Sequence, residues 1–159
     1  MPGIIGLANA LELCVLDLES EMGRLAMLRQ RLLDGLKRDV PDVVLNGPEF
    51  TTGEASTFHR ETLRLPGNLN CSFPYVNGEA LMMSMKTVAV SSGSACTSAH
   101  PEPSHVLLAL GLGEDLTRAS LRFGIGRFNT IEEIDYAVEA VSESVHRLRK
   151  LSSVASAPQ

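Results

Sequence analysis

Cys96 stands in the run Ser91-Ser92-Gly93-Ser94-Ala95-Cys96-Thr97-Ser98-Ala99-His100, and Pro101-Glu102-Pro103 follow at once. A free cysteine that only packs behaves as a small hydrophobe among aliphatic side chains. This one has small and polar neighbours instead. A nucleophilic or sulfur-carrying thiol must be reachable by its partner, with its thiolate accessible at working pH. A Ser/Gly/Ala/Thr segment ending in Pro-x-Pro supplies reach and motion, although it does not by itself lower a pKa. His100 and His105 are the nearest groups able to influence the thiol. On spacing alone, an incidental exposed loop thiol stands beside the functional reading.

Arg122, in "SLRFGIGRF", is the second candidate. Strand alternation puts it opposite Leu121 and Phe123. It is therefore either a solvent-facing charge or an anion clamp, since a guanidinium suits a carboxylate through two parallel hydrogen bonds. Arg118 and Arg127 read as structural or surface residues. Lys86 reads as a surface lysine, because a Schiff-base lysine needs a desolvating pocket and nothing local suggests one. Cys96-x₃-His100 with His105 nearby has a metal-like flavour, but the C-x₂₋₄-C pairs that announce zinc are missing, so no metal site is expected. Cys14 falls near a helical apolar stripe and Cys71 falls in mid-strand; both are expected in the core. The methionines, including Met82, Met83 and Met85, read as core filler.

The elements that must carry these residues follow from periodicity. Leu7, Leu11, Leu18, Met22, Leu25, Leu28, Leu32 and Leu36 recur at helical steps, predicting one long helix over residues 1–40 that Pro41 ends. Strands are expected at Val43–Gly47, Leu69–Phe73, Thr87–Gly93 and Ala119–Gly126. Between them, Asn77-Gly78-Glu79 opens a helix, and Ser104 caps a short one that Gly111 terminates. Thr130 and Glu133 form a T-x-x-E capping box for a last helix bearing Ile134, Val138, Val141, Val145 and Leu148. The pattern α-β-β-α-β-α-β-α implies an α/β chain of the α+β kind. A small, mostly antiparallel or mixed sheet is flanked by helices.

The 159 residues suit one domain, expected over 1–151, with a mobile cysteine loop at 92–103 and a disordered tail at 152–159. A formal charge of −5 argues against a nucleic-acid partner, which needs a basic face. No apolar run approaches the roughly 18 residues of a membrane span, and the start lacks the features of a signal peptide. Three cysteines at wide, irregular spacing fit a reducing, cytoplasmic setting better than a disulfide framework.

The run from "LPGNLNCSF" through "SSGSACTS" to "SLRFGIGRFNTIEEID" resembles the C-terminal region of NifS/IscS-type cysteine desulfurases, and "PGIIGLANALELC" is similar to the helix entering that region. The resemblance implies the small domain of a fold-type I pyridoxal phosphate enzyme that converts L-cysteine to L-alanine. It carries the persulfide-forming cysteine onto Cys96 and the carboxylate-binding arginine onto Arg122. It implies transfer of sulfur to an iron–sulfur scaffold or other acceptor protein, and a homodimer for the full-length enzyme. In this family the Schiff-base lysine, the phosphate-binding residues and the ring-stacking histidine belong to a preceding large domain that the 159 residues do not include. The chain is thus expected to be a truncated product, an isolated domain or half of a split enzyme, with a C-terminus shorter than the scaffold-docking tail of some relatives. A non-catalytic sulfur-carrier or scaffold-binding module is the alternative, and a fragment with an exposed helical stripe is the blandest reading.

Overall fold

The computed structural model describes residues 1–48, 64–92 and 102–155. Helices α1 (Pro2–Leu16) and α2 (Leu18–Asp39) lead into β1 (Val44–Leu45) and β2 (Asn68–Ser72). Helix α3 (Gly78–Ser84), β3 (Ser91–Ser92), α4 (His105–Ala109), α5 (Glu114–Arg118), β4 (Ser120–Gly124) and α6 (Ile131–Ala155) complete the order. The strands form one sheet in the order β1-β2-β4-β3, antiparallel at every pairing.

The single helix expected over residues 1–40 is two helices that meet at Asp17, whose backbone (φ −103°, ψ 4°) leaves the helical path. Short polar side chains compete with the backbone for hydrogen bonds and suit helix ends better than interiors. Asp17 is such a residue by type, but its side chain makes no capping bond, and α2 starts with its backbone carbonyl accepting from Glu21 N–H at 2.9 Å. Only the α2 part of the apolar stripe is covered, with Leu28, Leu32 and Leu36 buried. Helix α1 buries no residue at all. Ile4, Ile5, Leu7, Leu11, Leu13, Val15 and Leu16 are exposed around its circumference. Cys14, expected in the core, is therefore exposed. Its helix has apolar residues on every side and no described neighbour to bury them. Cys71 is buried, as expected.

Strand alternation builds the core. Leu69 and Cys71 of β2, with Phe73 just beyond, share a face with Leu121 and Phe123 of β4. Against that face pack Leu28, Leu32, Leu33 and Leu36 of α2, Leu81 of α3, and Ile134, Val138, Val141 and Val145 of α6. The capping box at the start of α6 is formed in both directions. Thr130 N–H donates to Glu133 Oε2 at 3.2 Å, and Glu133 N–H donates to Thr130 Oγ1 at 3.3 Å. Asn77 Oδ1 and Ser104 Oγ cap α3 and α4. Gly111 ends the α4 turn with φ +86°, a left-handed value that glycine adopts without strain.

Three boundaries differ from expectation. The strand expected at Thr87–Gly93 is reduced to Ser91–Ser92, because residues 86–88 turn out of α3 and only the end of the segment reaches β4. Helix α5 was not expected, since five residues are too few to display a period. Helix α6 runs to Ala155, so residues 152–155, assigned to a disordered tail, are helical. Residues 156–159 lie outside the described residues.

Candidate anion-binding face

The face of the sheet turned away from the core is polar. On β2, Asn68, Asn70 and Ser72 alternate with Leu69 and Cys71; on β4, Ser120, Arg122 and Gly124 alternate with Leu121 and Phe123. Register then assembles a row across three strands, since Asn70 pairs with Arg122 and Arg122 with Ser91. Directly opposed residues of antiparallel strands have Cβ atoms about 4.5–5.5 Å apart on one face. Asn70, Arg122 and Ser91 therefore project together. Helix α5 covers one end of this face: Ser72 Oγ donates to Leu116 O at 2.7 Å, and Ser72, Ser120 and Thr117 are buried there. The Arg122 row remains open.

Arg122 is exposed, and its Nη2 donates to Ser91 Oγ at 3.4 Å. No carboxylate among the described residues pairs with it. This separates Arg122 from its neighbours, since Arg118 reaches Glu114 at 3.9 Å and Arg127 reaches Asp17 at 3.8 Å, both at the surface. A groove of 590 Å³ in the helical layer, between α2 and α6, has its own arginines already engaged. There Arg31 makes a two-pronged bond to Asp135 at 2.6 and 2.8 Å, which holds the carboxyl of Asp135 below its ordinary range, and Arg38 does the same to Asp39 at 2.7 Å. An incoming anion would have to break those pairs, whereas at Arg122 it would not.

Beside the row lies a hydrogen-bonded group that reading the sequence missed. Asn46, just past β1, is buried, and its Nδ2 donates to Asn70 Oδ1 at 2.6 Å and to Ser72 Oγ at 2.8 Å. Arg64 fixes the backbone there, donating through Nη2 to Asn46 O at 2.6 Å and to Pro48 O at 2.7 Å. Burial holds the Arg64 guanidinium below its ordinary pKa. The signal for this group was present in "NLNCS", where polar residues alternate with apolar ones over five positions.

Cys96 and His100 lie outside the described residues; His105, the first residue of α4, is exposed. The described edge strand β3 ends at Ser92, four residues before Cys96 and paired with Leu121, next to Arg122. Among the described residues no cluster of His, Cys, Asp and Glu could hold a metal ion. The three lysines of the chain, Lys37, Lys86 and Lys150, are all exposed. A lysine that carries a pyridoxal cofactor needs a desolvated pocket. The chain's own lysines do not fit covalent attachment of that cofactor.

Residues 1–137 match the family of class-V aminotransferases, and the chain belongs to it. Within that family its relatives are cysteine desulfurases. It is 51% identical over 152 residues to cysteine desulfurase IscS of Anaeromyxobacter sp. (strain K), a match covering 96% of this chain and 35% of the relative. It is 50% identical over 149 residues to cysteine desulfurase IscS of Tolumonas auensis (94% and 34%), and 46% identical over 152 residues to a cysteine desulfurase of Pongo abelii (95% and 30%). Among solved structures, a NifS-like protein superposes with a TM-score of 0.71 at 26% identity, over 92% of this chain and 34% of the other. A NifS-like protein from Rickettsia africae ESF-5, at 0.65 and 24% identity over 89% and 33%, shares the fold. The chain spans about a third of the length of the relatives it matches. The resemblance read from the cysteine segment thus agrees with the family, and the α+β architecture with its neighbours.

Proposed function

We propose that this chain is the sulfur-accepting and carboxylate-holding part of a cysteine desulfurase. Arg122 holds the carboxylate of L-cysteine, and Cys96 takes the sulfur. The thiolate of Cys96 forms an S–S bond as the Cβ–S bond of L-cysteine breaks. The carbon takes up a proton with the electron pair left behind, so L-cysteine plus the Cys96 thiol gives L-alanine plus the Cys96 persulfide. Pyridoxal phosphate, when bound in the longer relatives, supplies the electron sink for that bond cleavage. With no lysine of this chain suited to hold it, the cofactor would be held by a part corresponding to the rest of those relatives. The persulfide then passes to an acceptor thiol, of an iron–sulfur scaffold or another sulfur-accepting protein.

The single observation that carries this reading is Arg122, an exposed guanidinium that has no carboxylate partner among the described residues and lies beside β3, the strand that precedes Cys96 in the chain. Four residues separate Ser92 from Cys96, and a fully extended chain covers about 3.3–3.6 Å per residue. A span of that length, at most about 14 Å between α-carbons, is short enough to keep Cys96 and the β3 edge in one site. The alternative is a sulfur carrier that receives its sulfur from another protein's persulfide, a role that needs no cofactor-holding lysine.

The test combines this chain with a polypeptide supplying the remaining two thirds of a relative, pyridoxal phosphate and L-cysteine. Alanine formation should require both chains, and peptide mass spectrometry should find one added sulfur on Cys96. Cys96→Ser should abolish the adduct and sulfur delivery. Arg122→Lys, which loses the two-pronged geometry, should lower kcat/KM by about tenfold or more. Sulfur delivery at an unchanged rate by Cys96→Ser would refute the proposal. An adduct that forms only from a persulfide donor, never from L-cysteine, would select the carrier reading.

A further inference from the structure

The hydrogen bonds beside Arg122 have a fixed direction. Leu116 O is a backbone carbonyl and can only accept, so the one O–H of Ser72, 2.7 Å away, is committed to it. Ser72 Oγ must then accept from Asn46, and the atom at 2.8 Å is accordingly the amide nitrogen of Asn46. The more distant Asn46 Oδ1, at 3.2 Å, receives no proton from Ser72. The second N–H of Asn46 goes to Asn70 at 2.6 Å, which obliges Asn70 to present its oxygen. The consequence falls on the other half of that side chain. The NH₂ group of Asn70 is left without an acceptor among the described residues, and it belongs to the side chain directly across the strand pair from Arg122.

The row thus offers a guanidinium, an amide NH₂ and the Ser91 hydroxyl on one open face, and the first two can only donate. Apart from the Ser91 hydroxyl, which accepts from Arg122 Nη2 at 3.4 Å, the row presents donors only, and two donor-only groups side by side suit an anion with at least two oxygens. We infer that Asn70 is a second anchor for the substrate carboxylate, donating Nδ2–H to one oxygen while Arg122 engages the group. Asn46 is its positioning residue, because its amide dictates which end of Asn70 faces the anion. The inference rests on the proposed role of Arg122 and deepens it. The site reads a planar carboxylate by donors of fixed polarity, and a ligand in which that group is an amide would bring an NH₂ against an NH₂.

The full chain, labelled with ¹⁵N, is titrated with L-alanine, which has the carboxylate but no thiol. Alaninamide and sodium chloride at matched ionic strength serve as controls. The Arg122 Nε–H and Asn70 Nδ2–H₂ resonances should move together with one dissociation constant, and neither should respond to alaninamide. Asn70→Asp keeps the acceptor for Asn46 but replaces the free donor with an acceptor that pairs with Arg122. Binding should weaken by about tenfold or more. Asn70→Ala and Asn46→Ala should each weaken it by about threefold to tenfold. A shift at Arg122 with none at Asn70, or full affinity in folded Asn70→Asp, would overturn the inference and leave the Arg122 reading standing. Silence at both residues would overturn the two together. Should Asn70→Asp lose its dispersed spectrum, unchanged affinity in Asn70→Ala would serve as the refutation.

Discussion

Gly35 lies where α2 crosses α6, the two helices beneath the sheet, and its replacement by alanine sets two effects against each other. Glycine inside a helix is less favourable than alanine by about 0.8–1.0 kcal/mol, so an exposed Gly→Ala change stabilises. Here the new methyl would lie 2.6 Å from Val138 Cγ2 and 2.9 Å from Cγ1. Carbon atoms in contact prefer about 3.5–4.0 Å. Rotation about χ1 does not relieve the clash, because a β-branched residue in a helix has one strongly preferred rotamer and both γ-methyls are in the way. Forcing a methyl into a packed core costs about 1–3 kcal/mol. Overpacking wins, and Gly35→Ala should destabilise the fold by about 1–2 kcal/mol despite its better helix propensity.

The double substitution isolates the cause. In Val138→Ala only the β-carbon, 3.3 Å from the new methyl, remains to give way. In that background Gly35→Ala should be neutral or stabilising by up to about 1 kcal/mol. The coupling is then about 2 kcal/mol, well beyond the roughly 0.3–0.5 kcal/mol within which independent sites add. Urea unfolding of the four proteins, followed by circular dichroism, measures it. Gly35→Ala that stabilises the otherwise unaltered chain, or effects that add, would refute the close helix crossing on which the placement of the sheet depends.

Two further outcomes follow from the same structure. Burial pushes the Cys71 thiol from 9.0 up to about 12, while Cys14 is exposed on α1. Iodoacetamide at mildly alkaline pH should label Cys14 and spare Cys71 until the chain unfolds, and equal labelling rates by peptide mass spectrometry would contradict the packing. Because the folded state raises that pKa, its contribution to stability is full below about 9 and is lost as pH climbs towards 12; Cys71→Val should flatten that alkaline slope. At the start of α6, Thr130→Ala should cost about 1 kcal/mol in urea unfolding, and a loss below about 0.3 kcal/mol would mean that the capping box contributes nothing.

Wherever a signal is local, the sequence was legible. The T-x-x-E box, the Asn77 and Ser104 caps and the 4-3-4 spacing of Ile134, Val138, Val141 and Val145 each act within one or two helical turns, and each is found in place. Signals that depend on a partner were not legible. The spacing of Leu7, Leu11 and Leu18 continues that of Leu28, Leu32 and Leu36, yet only the second set meets the sheet. Periodicity states that a face could be buried and is silent on what would bury it. Cys14 was misassigned for that reason. Arg122 posed the same difficulty, because alternation puts it on the outer face whether that face is bare solvent or a binding surface. The proposal of a binding surface draws on Asn46 and Asn70, 24 residues apart in the chain and joined by a 2.6 Å hydrogen bond in the fold. Strand register, which no local spacing encodes, brings them together.

Two surfaces of this chain lack described cover, and they differ in kind. Helix α1 exposes seven large aliphatic side chains at residues 4–16. Burying such a side chain is worth roughly 1.5–3 kcal/mol, so α1 carries enough apolar surface to dominate an association. That surface is non-directional, and it does not distinguish one small substrate from another. The Asn70–Arg122–Ser91 row has the opposite character, with little apolar area but donors whose polarity is set atom by atom. In the proposed enzyme the tasks divide accordingly. Helix α1 has the apolar area to supply affinity for a partner surface, and the proposed row has the polarity to discriminate a carboxylate. A substitution on the row should therefore change what is bound without loosening any association made through α1, because the two effects reside in different elements.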